Sequence, residues 1–189
     1  MHLLHSRPTG HAATAATGRD RATPRGALTF LRPFDTGQGH DAMADEATQQ
    51  MVVGASPEQT WQVLIDFDEY PTWASDLKSA EVVARDDEGR PLEVAFRAAA
   101  MGRSTSYRLR YDYARAPEVL AWKLVEGDIT RKLDGSYALA AVDGDPDSTL
   151  VTYHLEVDLL VPLPGFVKRR AESRIVSTAL RSLRTHLET

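Results

Sequence analysis

The 189-residue sequence predicts an α+β domain in which a curved, seven-stranded antiparallel sheet wraps around a long C-terminal helix, with two small helices after the first strand. Three features predict this class. An apolar segment near residue 50 leads directly into a strong helix-start signal. Six further segments with alternating apolar side chains follow, separated by short turn sequences. Finally, residues 166–187 repeat apolar side chains at the spacing of an amphipathic helix.

The first predicted elements are a strand over Thr48–Ala55 and a helix that starts at Ser56. Serine at the N-cap, proline at the first helical position and an acidic residue in the first turn are typical of a helix start, and Ser56-Pro57-Glu58 has all three. The apolar face of this helix carries residues at i, i+3 and i+4: Trp61, Leu64 and Ile65. Pro71 interrupts the helical pattern, and we expect a second short helix around it.

From Leu77 onward the apolar period changes to two, which is typical of half-buried strands. Turns rich in Asp, Gly and Pro separate six such segments. Short turns between consecutive strands permit only antiparallel pairing, so we expect a meander of six strands. One face of this meander carries most of the aromatic side chains: Phe96, Tyr107, Tyr111, Trp122, Tyr137 and Tyr153.

The last predicted element is a helix from about Phe166 to Leu187, which follows the prolines that end the last strand. At 1.5 Å per residue it would be about 33 Å long. Its apolar face carries residues at i, i+4, i+7 and i+11, with two more beside them: Val176, Leu180, Leu183 and Leu187, then Ile175 and Ala179. A strongly bent sheet seldom closes completely around one helix, so we expect a pocket between the two.

Residues 1–42 differ in composition from the rest of the chain. They hold four of the six histidines and are rich in Ala, Thr, Gly and Pro, and their apolar residues are confined to a short island at 28–34. Such a segment cannot bury enough apolar surface to offset the entropy lost on ordering. We therefore divide the chain into a disordered or dispensable segment, 1–42, and a folded domain, 43–189. Two alternatives remain for the first segment: an Arg-rich targeting peptide, or an upstream stretch that is included in the sequence but is not translated.

Deleting residues 1–42 is expected to change the free energy of unfolding by less than about 1 kcal/mol, because nothing in that segment has the pattern of a core element. Urea unfolding of the full-length and shortened chains measures the difference. A larger loss of stability, or well-dispersed NMR signals from residues 28–34, would show that the apolar island docks on the domain.

Composition excludes several function classes. The chain has no cysteine, which rules out disulfides, thiolate metal sites and a cysteine nucleophile. Lys and Arg number 22 against 27 Asp and Glu, a balance that argues against nucleic acid as a partner. No segment is apolar for long enough to span a membrane, and the N-terminus lacks the apolar run of a secretory signal, so we expect a cytoplasmic location.

Sequence motifs for catalysis or cofactor binding are also missing: G-x-S-x-G, G-x-G-x-x-G and the phosphate-binding loop do not occur. Beyond residue 42 the histidines are His154 and His186, and they fall on different predicted elements. We therefore expect no metal site and no cofactor. His154 alternates outward, and His186 lies near the end of the last helix, where a cation interacts favourably with the helix dipole.

The order of the elements and two local motifs resemble the START-like helix-grip superfamily, and within it the bacterial polyketide cyclase/dehydrase and coenzyme-Q-binding branch. One motif is Asp66-Phe67-Asp68-Glu69-Tyr70-Pro71-Thr72-Trp73, of the form D-x-x-x-Y-P-x-W; the other is Pro162-Leu163-Pro164-Gly165-Phe166, which leads into the basic start of the last helix. The resemblance covers about residues 47–188. It implies a helix-grip fold, but this scaffold hosts lipid carriers, aromatase/cyclases, receptors and ribosome-associated factors, so it does not settle the function.

We interpret the chain as a protein that binds a hydrophobic small molecule, such as a lipid, an isoprenoid or a polyketide-like compound. The predicted cavity lies between the sheet and the C-terminal helix and is lined by aromatic residues: Trp73, Phe96, Tyr107, Tyr111, Trp122, Tyr137 and Tyr153. A plain aromatic core is the competing interpretation, because aromatic residues are common on strands.

The alternative function is that of a polyketide aromatase/cyclase-dehydrase, which the resemblance implies would need no metal or redox cofactor. This chemistry requires a positioned general acid or base. The catalytic residues are unknown, since Arg97, Arg108 and Arg110 alternate outward and leave tyrosines and Thr105 inside. Residues 168–170 are either a solvated helix start or a contact for an anionic membrane or an acidic acyl-carrier protein. The net negative charge beyond residue 42 argues against a ribosome-associated factor.

Overall fold

The computed structural model describes residues 45–100, 103–160 and 164–189, and the seven strands in these ranges form one antiparallel sheet. The helices are α1 (Pro57–Ile65), α2 (Tyr70–Trp73) and α3 (Gly165–Leu187), with a 3₁₀ turn at Phe67–Glu69 between the first two. The strands are β1 (Asp45–Val53), β2 (Leu77–Arg85), β3 (Pro91–Ala100), β4 (Arg103–Asp112), β5 (Val119–Gly127), β6 (Thr130–Val142) and β7 (Asp145–Leu159). The predicted α+β architecture is confirmed.

Strand order in the sheet is β1-β7-β6-β5-β4-β3-β2. Strands β2 to β7 therefore form the predicted meander, and β1 is added beside β7. The register pairs Tyr111 with Trp122 and Tyr137 with Tyr153, so the rings of neighbouring strands lie at similar heights on one face. The two-residue alternation in the sequence thus places the aromatic side chains together on the concave side of the sheet.

The helix start at Ser56 has the geometry that the sequence predicts. The Ser56 hydroxyl accepts a hydrogen bond from the backbone N–H of Gln59, and the Gln59 side chain accepts one from the Ser56 N–H, which completes a capping box. Strand β1 ends at Val53, earlier than the predicted Ala55, because the chain must turn at Gly54 to reach this cap. The predicted second short helix is confirmed as α2.

Helix α3 packs its apolar face against β1 and β7. Val176, Leu180 and Leu183 have no exposed surface, as predicted, but Ile175 is 41% exposed, and its assignment to this face was wrong. At 100° per residue, Ile175 lies about a quarter turn from the centre of the buried face. The residue that occupies the buried face in the first turns of the helix is Glu172, which is 2% exposed.

Gly135 on β6 is required by a close approach of the Trp122 ring. These two residues are register partners on adjacent strands, and a Cβ at position 135 would lie 2.5 Å from the Trp122 ring and 2.6 Å from the backbone oxygen of His154. Glycine lets the indole lie flat across β6, because it offers no side chain to displace it. The ring is thereby held within the sheet's concave face.

Candidate ligand site

Nine aromatic side chains are connected by ring contacts across the concave face of the sheet and the segment from the 3₁₀ turn to α2. We call this set the aromatic network: Phe67, Tyr70, Trp73, Phe96, Tyr107, Tyr111, Trp122, Tyr137 and Tyr153. It contains all seven residues that the sequence predicted for the cavity lining. Phe67 and Tyr70 were not predicted as members, although both belong to the D-x-x-x-Y-P-x-W motif.

On the sheet, the network runs from β3 to β7. The ring centres of Tyr111 and Trp122 are 6.1 Å apart, and the Trp122 ring lies 5.4 Å from that of Tyr137 and 5.7 Å from that of Tyr153. The Phe96 and Tyr107 rings stack at 5.4 Å. These separations are within the range at which aromatic pairs attract one another, so each ring fixes the position of its neighbours.

The opposite side of the network comes from the chain between α1 and β2. The Phe67 ring lies 4.4 Å from Tyr111 and 6.3 Å from Phe96, and Tyr70 lies 4.7 Å from Trp73. The small helices, rather than α3, therefore supply the rings that face β3 and β4. This differs from the sequence expectation, in which the aromatic residues of the sheet lie opposite the C-terminal helix.

Some of the buried tyrosine hydroxyls form hydrogen bonds within the protein. Tyr70 donates to the backbone oxygen of Leu64 at 2.8 Å, and the Tyr137 and Tyr153 side chains form a hydrogen bond with each other. The hydroxyls of Tyr107 and Tyr111 form no hydrogen bond with another residue in the described ranges. These two groups are the ones whose bonding capacity a ligand could use.

Burial raises the pKa of every tyrosine in the network: Tyr70, Tyr107, Tyr111, Tyr137 and Tyr153. The physical cause is the loss of water around the phenolate, which disfavours the charged form. These hydroxyls are therefore neutral over the physiological pH range. A neutral phenol can donate a hydrogen bond to a carbonyl or carboxylate oxygen, but it is a poor base.

The remaining polar groups divide between the two faces of the sheet. Arg97 is exposed, and Arg108 and Arg110 pair with Glu93, so the three arginines point outward as the sequence predicts. Inward-facing Thr105 is buried and donates to Asp128. Glu172 on α3 is an inward-facing acid that the sequence analysis did not identify. Its position could have been predicted from its spacing, because it lies four residues before Val176 on the buried face of the helix.

The two histidines of the domain stay apart, as their positions on different elements predict. His154 bonds to the Thr48 hydroxyl at 3.0 Å on the other face of the sheet from Tyr153. His186 is exposed, and its ring stacks on Trp73 at 6.0 Å. Within the described ranges, no group of three or more His, Asp or Glu side chains is placed to hold a metal ion.

Two open grooves lie at the surface of the domain. One, of about 390 Å³, is between α1 and β2 and includes Phe67; the other, of about 410 Å³, is between α2 and α3 and includes Trp73 and His186. Both reach only an end of the aromatic network. The cavity between the sheet and α3, with its seven lining residues, stays a prediction.

The fold defines the class of the protein. A START superfamily protein from Mycobacterium smegmatis superimposes with a TM-score of 0.72 at 24% identity, over 76% of this chain and 97% of that one. The Zhui aromatase/cyclase from Streptomyces sp. R1128 gives 0.67 at 16% identity, over 77% and 94%. A STAR-related lipid transfer protein from Xanthomonas axonopodis gives 0.59 at 18% identity, over 76% and 86%. The domain has the START-like helix-grip fold.

The family described as polyketide cyclase/dehydrase and lipid transport matches residues 44–188, most of the chain. The chain therefore belongs to this family, and the resemblance drawn from the sequence motifs is confirmed. The fold and the family together support a scaffold for binding hydrophobic ligands. Among curated proteins, none matches the chain. No helix in the described ranges is long and apolar enough to cross a membrane.

Proposed function

We propose that the protein binds a hydrophobic small molecule, such as a lipid, an isoprenoid or a polyketide-like compound, between the concave face of the sheet and α3. The observation that carries this proposal is the aromatic network. It provides a broad apolar surface on which the hydroxyls of Tyr107 and Tyr111 form no hydrogen bond with any other residue that the structure describes. An apolar surface with a few oriented donors is the usual character of a small-molecule site.

The network also indicates which ligands would fit this site. Rings offer flat, polarisable surfaces that suit unsaturated or aromatic compounds, and apolar chains gain from the same burial. A ligand with one or two carbonyl or carboxylate oxygens would accept hydrogen bonds from Tyr107 and Tyr111. We expect no metal or redox cofactor to take part. The compartment in which the protein works stays a prediction from the sequence.

A second candidate function is catalysis of cyclisation and dehydration on a polyketide. Two observations favour it: the structural likeness to an aromatase/cyclase, and the neutral phenols of the network. A phenol that hydrogen-bonds an enolate oxygen would stabilise the charge that develops in an aldol step. Buried Glu172 on α3 supplies an inward-facing carboxyl group. Turnover of an acyl poly-β-ketone by the purified protein, lost in Tyr107→Phe or Tyr111→Phe, would support this function over simple binding.

Tyr107→Phe and Tyr111→Phe are each expected to weaken binding of a fluorescent fatty acid by about 0.5–1.5 kcal/mol, the net contribution of one hydrogen bond, and to leave the fold intact. Fluorescence titration measures the dissociation constant. Tyr113→Phe is the matched control: Tyr113 pairs with Trp61 outside the network, and its hydroxyl donates to the backbone oxygen of Pro91. That variant should lose stability without losing affinity.

The same titration tests the apolar part of the site. Trp122→Ala should change probe affinity more than Trp61→Ala, because both remove a buried indole but Trp61 lies outside the network. Native mass spectrometry of protein purified from its own host would identify a bound apolar ligand directly. If every network variant bound the probe like the parent, the aromatic network would be ordinary core and the proposed site would be wrong.

A further inference from the structure

Charge is divided unevenly between α3 and the rest of the domain. The helix, Gly165–Leu187, holds six Lys and Arg residues and one acidic residue, Glu172, which is buried. Residues 43–164 hold eleven Lys and Arg against twenty-two Asp and Glu. The exposed side of α3 is therefore a positive surface on an otherwise acidic domain, and such a surface attracts anionic partners.

The positive charges are aligned along one side of the helix. Arg170, Arg174 and Arg181 recur at i, i+4 and i+11, opposite the buried face, and all three are exposed. We call them the basic stripe. None of the three forms an ion pair with another residue in the described ranges, whereas Arg184 further along the helix pairs with Glu188. Their charges are thus available to an external partner.

Carboxylates near the start of α3 are already engaged by other cations. Asp158 lies 3.5 Å from Arg131 and 3.9 Å from Lys168, and Glu156 lies 2.8 Å from Lys132. These pairs neutralise the acidic end of β7. These two carboxylates therefore offset less of the positive charge of the basic stripe.

An exposed aromatic residue accompanies the basic stripe. Phe166 is 70% exposed, and it precedes Arg170 by four residues on the same side of the helix. Leu160, just before α3 in the chain, is 49% exposed. Basic side chains together with an exposed phenylalanine are typical of surfaces that bind at the interface of anionic bilayers. A purely acidic protein partner would make no use of Phe166.

We propose that the basic stripe and Phe166 dock the protein on an anionic lipid surface, and that the ligand is exchanged there. This rests on the proposed function, because a hydrophobic ligand is sparingly soluble in water and a carrier must collect it from an apolar phase. The apolar face of α3 is packed on the sheet, so the helix lies on the headgroups by its polar side and does not insert. Electrostatic attraction therefore provides most of the binding.

The test is sedimentation of the full chain with vesicles of phosphatidylcholine alone and of phosphatidylcholine with about one third phosphatidylserine. We expect binding to the anionic vesicles that weakens as salt is added. Arg170→Gln/Arg174→Gln should lower the partition coefficient about 30-fold, since two surface arginines are removed. The control Arg97→Gln/Arg115→Gln removes two exposed arginines from the sheet and a turn, and it should lower partitioning less than threefold (about the effect of net charge alone).

Three results would overturn the proposal: equal losses in the two double variants, equal binding to both kinds of vesicle, or no binding to anionic vesicles. If the protein did not bind anionic vesicles, an acidic protein would be left as the partner of the basic stripe. Probe binding without vesicles separates this proposal from the proposed function. A stripe variant that binds the fluorescent fatty acid normally but not the vesicles supports docking. A parent protein that binds vesicles but not the probe would contradict ligand binding and leave membrane attachment in place.

Discussion

Replacing Leu183 by aspartate is expected to unfold the domain. Leu183 has no exposed surface and lies on the buried face of α3 with Val176 and Leu180. An aspartate there must either bury an unpaired charge or take up a proton, and it also leaves a cavity, so the cost is at least about 4 kcal/mol. Circular dichroism during urea unfolding measures the loss. We expect too little folded protein at zero urea to define a native baseline.

Ile175→Asp is the matched control for this variant. It makes the same change on the same helix, eight residues away, but at a site that is 41% exposed. Its effect should be within about 0.5–1 kcal/mol of the parent. If Leu183→Asp folds as stably as the control, the buried face of α3 is wrongly assigned, and the ligand site proposed beneath the helix is wrong as well.

Gly135→Ala has the second-largest expected effect. The added methyl group would lie under 3 Å from both the Trp122 ring and the backbone oxygen of His154, so two strands must move apart to accept it. Overpacking of this kind costs about 3 kcal/mol, since the obstructing backbone atom cannot rotate away. Thermal unfolding measures the loss, and the near-ultraviolet circular dichroism of the Trp122 ring should change with it.

Ser136→Ala controls for the strand itself. Ser136 is the next residue on β6 and points to the opposite face, where Trp122 does not reach. We expect a change below about 0.5 kcal/mol. A Gly135→Ala variant that remained as stable as Ser136→Ala would show that Trp122 does not lie against β6, and the sheet side of the aromatic network would need a different arrangement.

Periodicity was sufficient to predict most of the fold. Alternation along the strands identifies which side chains share a face, and short turns leave antiparallel pairing as the remaining choice. The one error on α3, Ile175, came from extending the apolar face too far around the helix, where a 3.6-residue period leaves the edge residues ambiguous. The inward position of Glu172 followed the same period as Val176 and Leu180, but its charge argued against burial.

The candidate site was harder to predict from the sequence than the fold. All seven predicted rings lie in the aromatic network. Six of them belong to strands in which apolar side chains alternate, and Trp73 belongs to the D-x-x-x-Y-P-x-W motif. Phe67 begins the 3₁₀ turn and Tyr70 begins the four-residue helix α2, and such short elements have no period that indicates the direction of a side chain. Whether the rings leave an open cavity depends on packing at the scale of single methyl groups, which a pattern of residue types does not determine. The ligand is therefore still a proposal.

The position of β1 at the sheet's edge has a consequence for the order in which the domain folds. Its residues pair only with β7, which follows about one hundred residues later in the chain; Thr48 and His154, for example, are register partners. Strands β2 to β7 form hairpins with their immediate neighbours, whereas closing the β1–β7 pair means closing one very large loop. Long-range pairing of this kind slows folding. During synthesis, β1 leaves the ribosome before the other strands and stays unpaired until β7 has followed it.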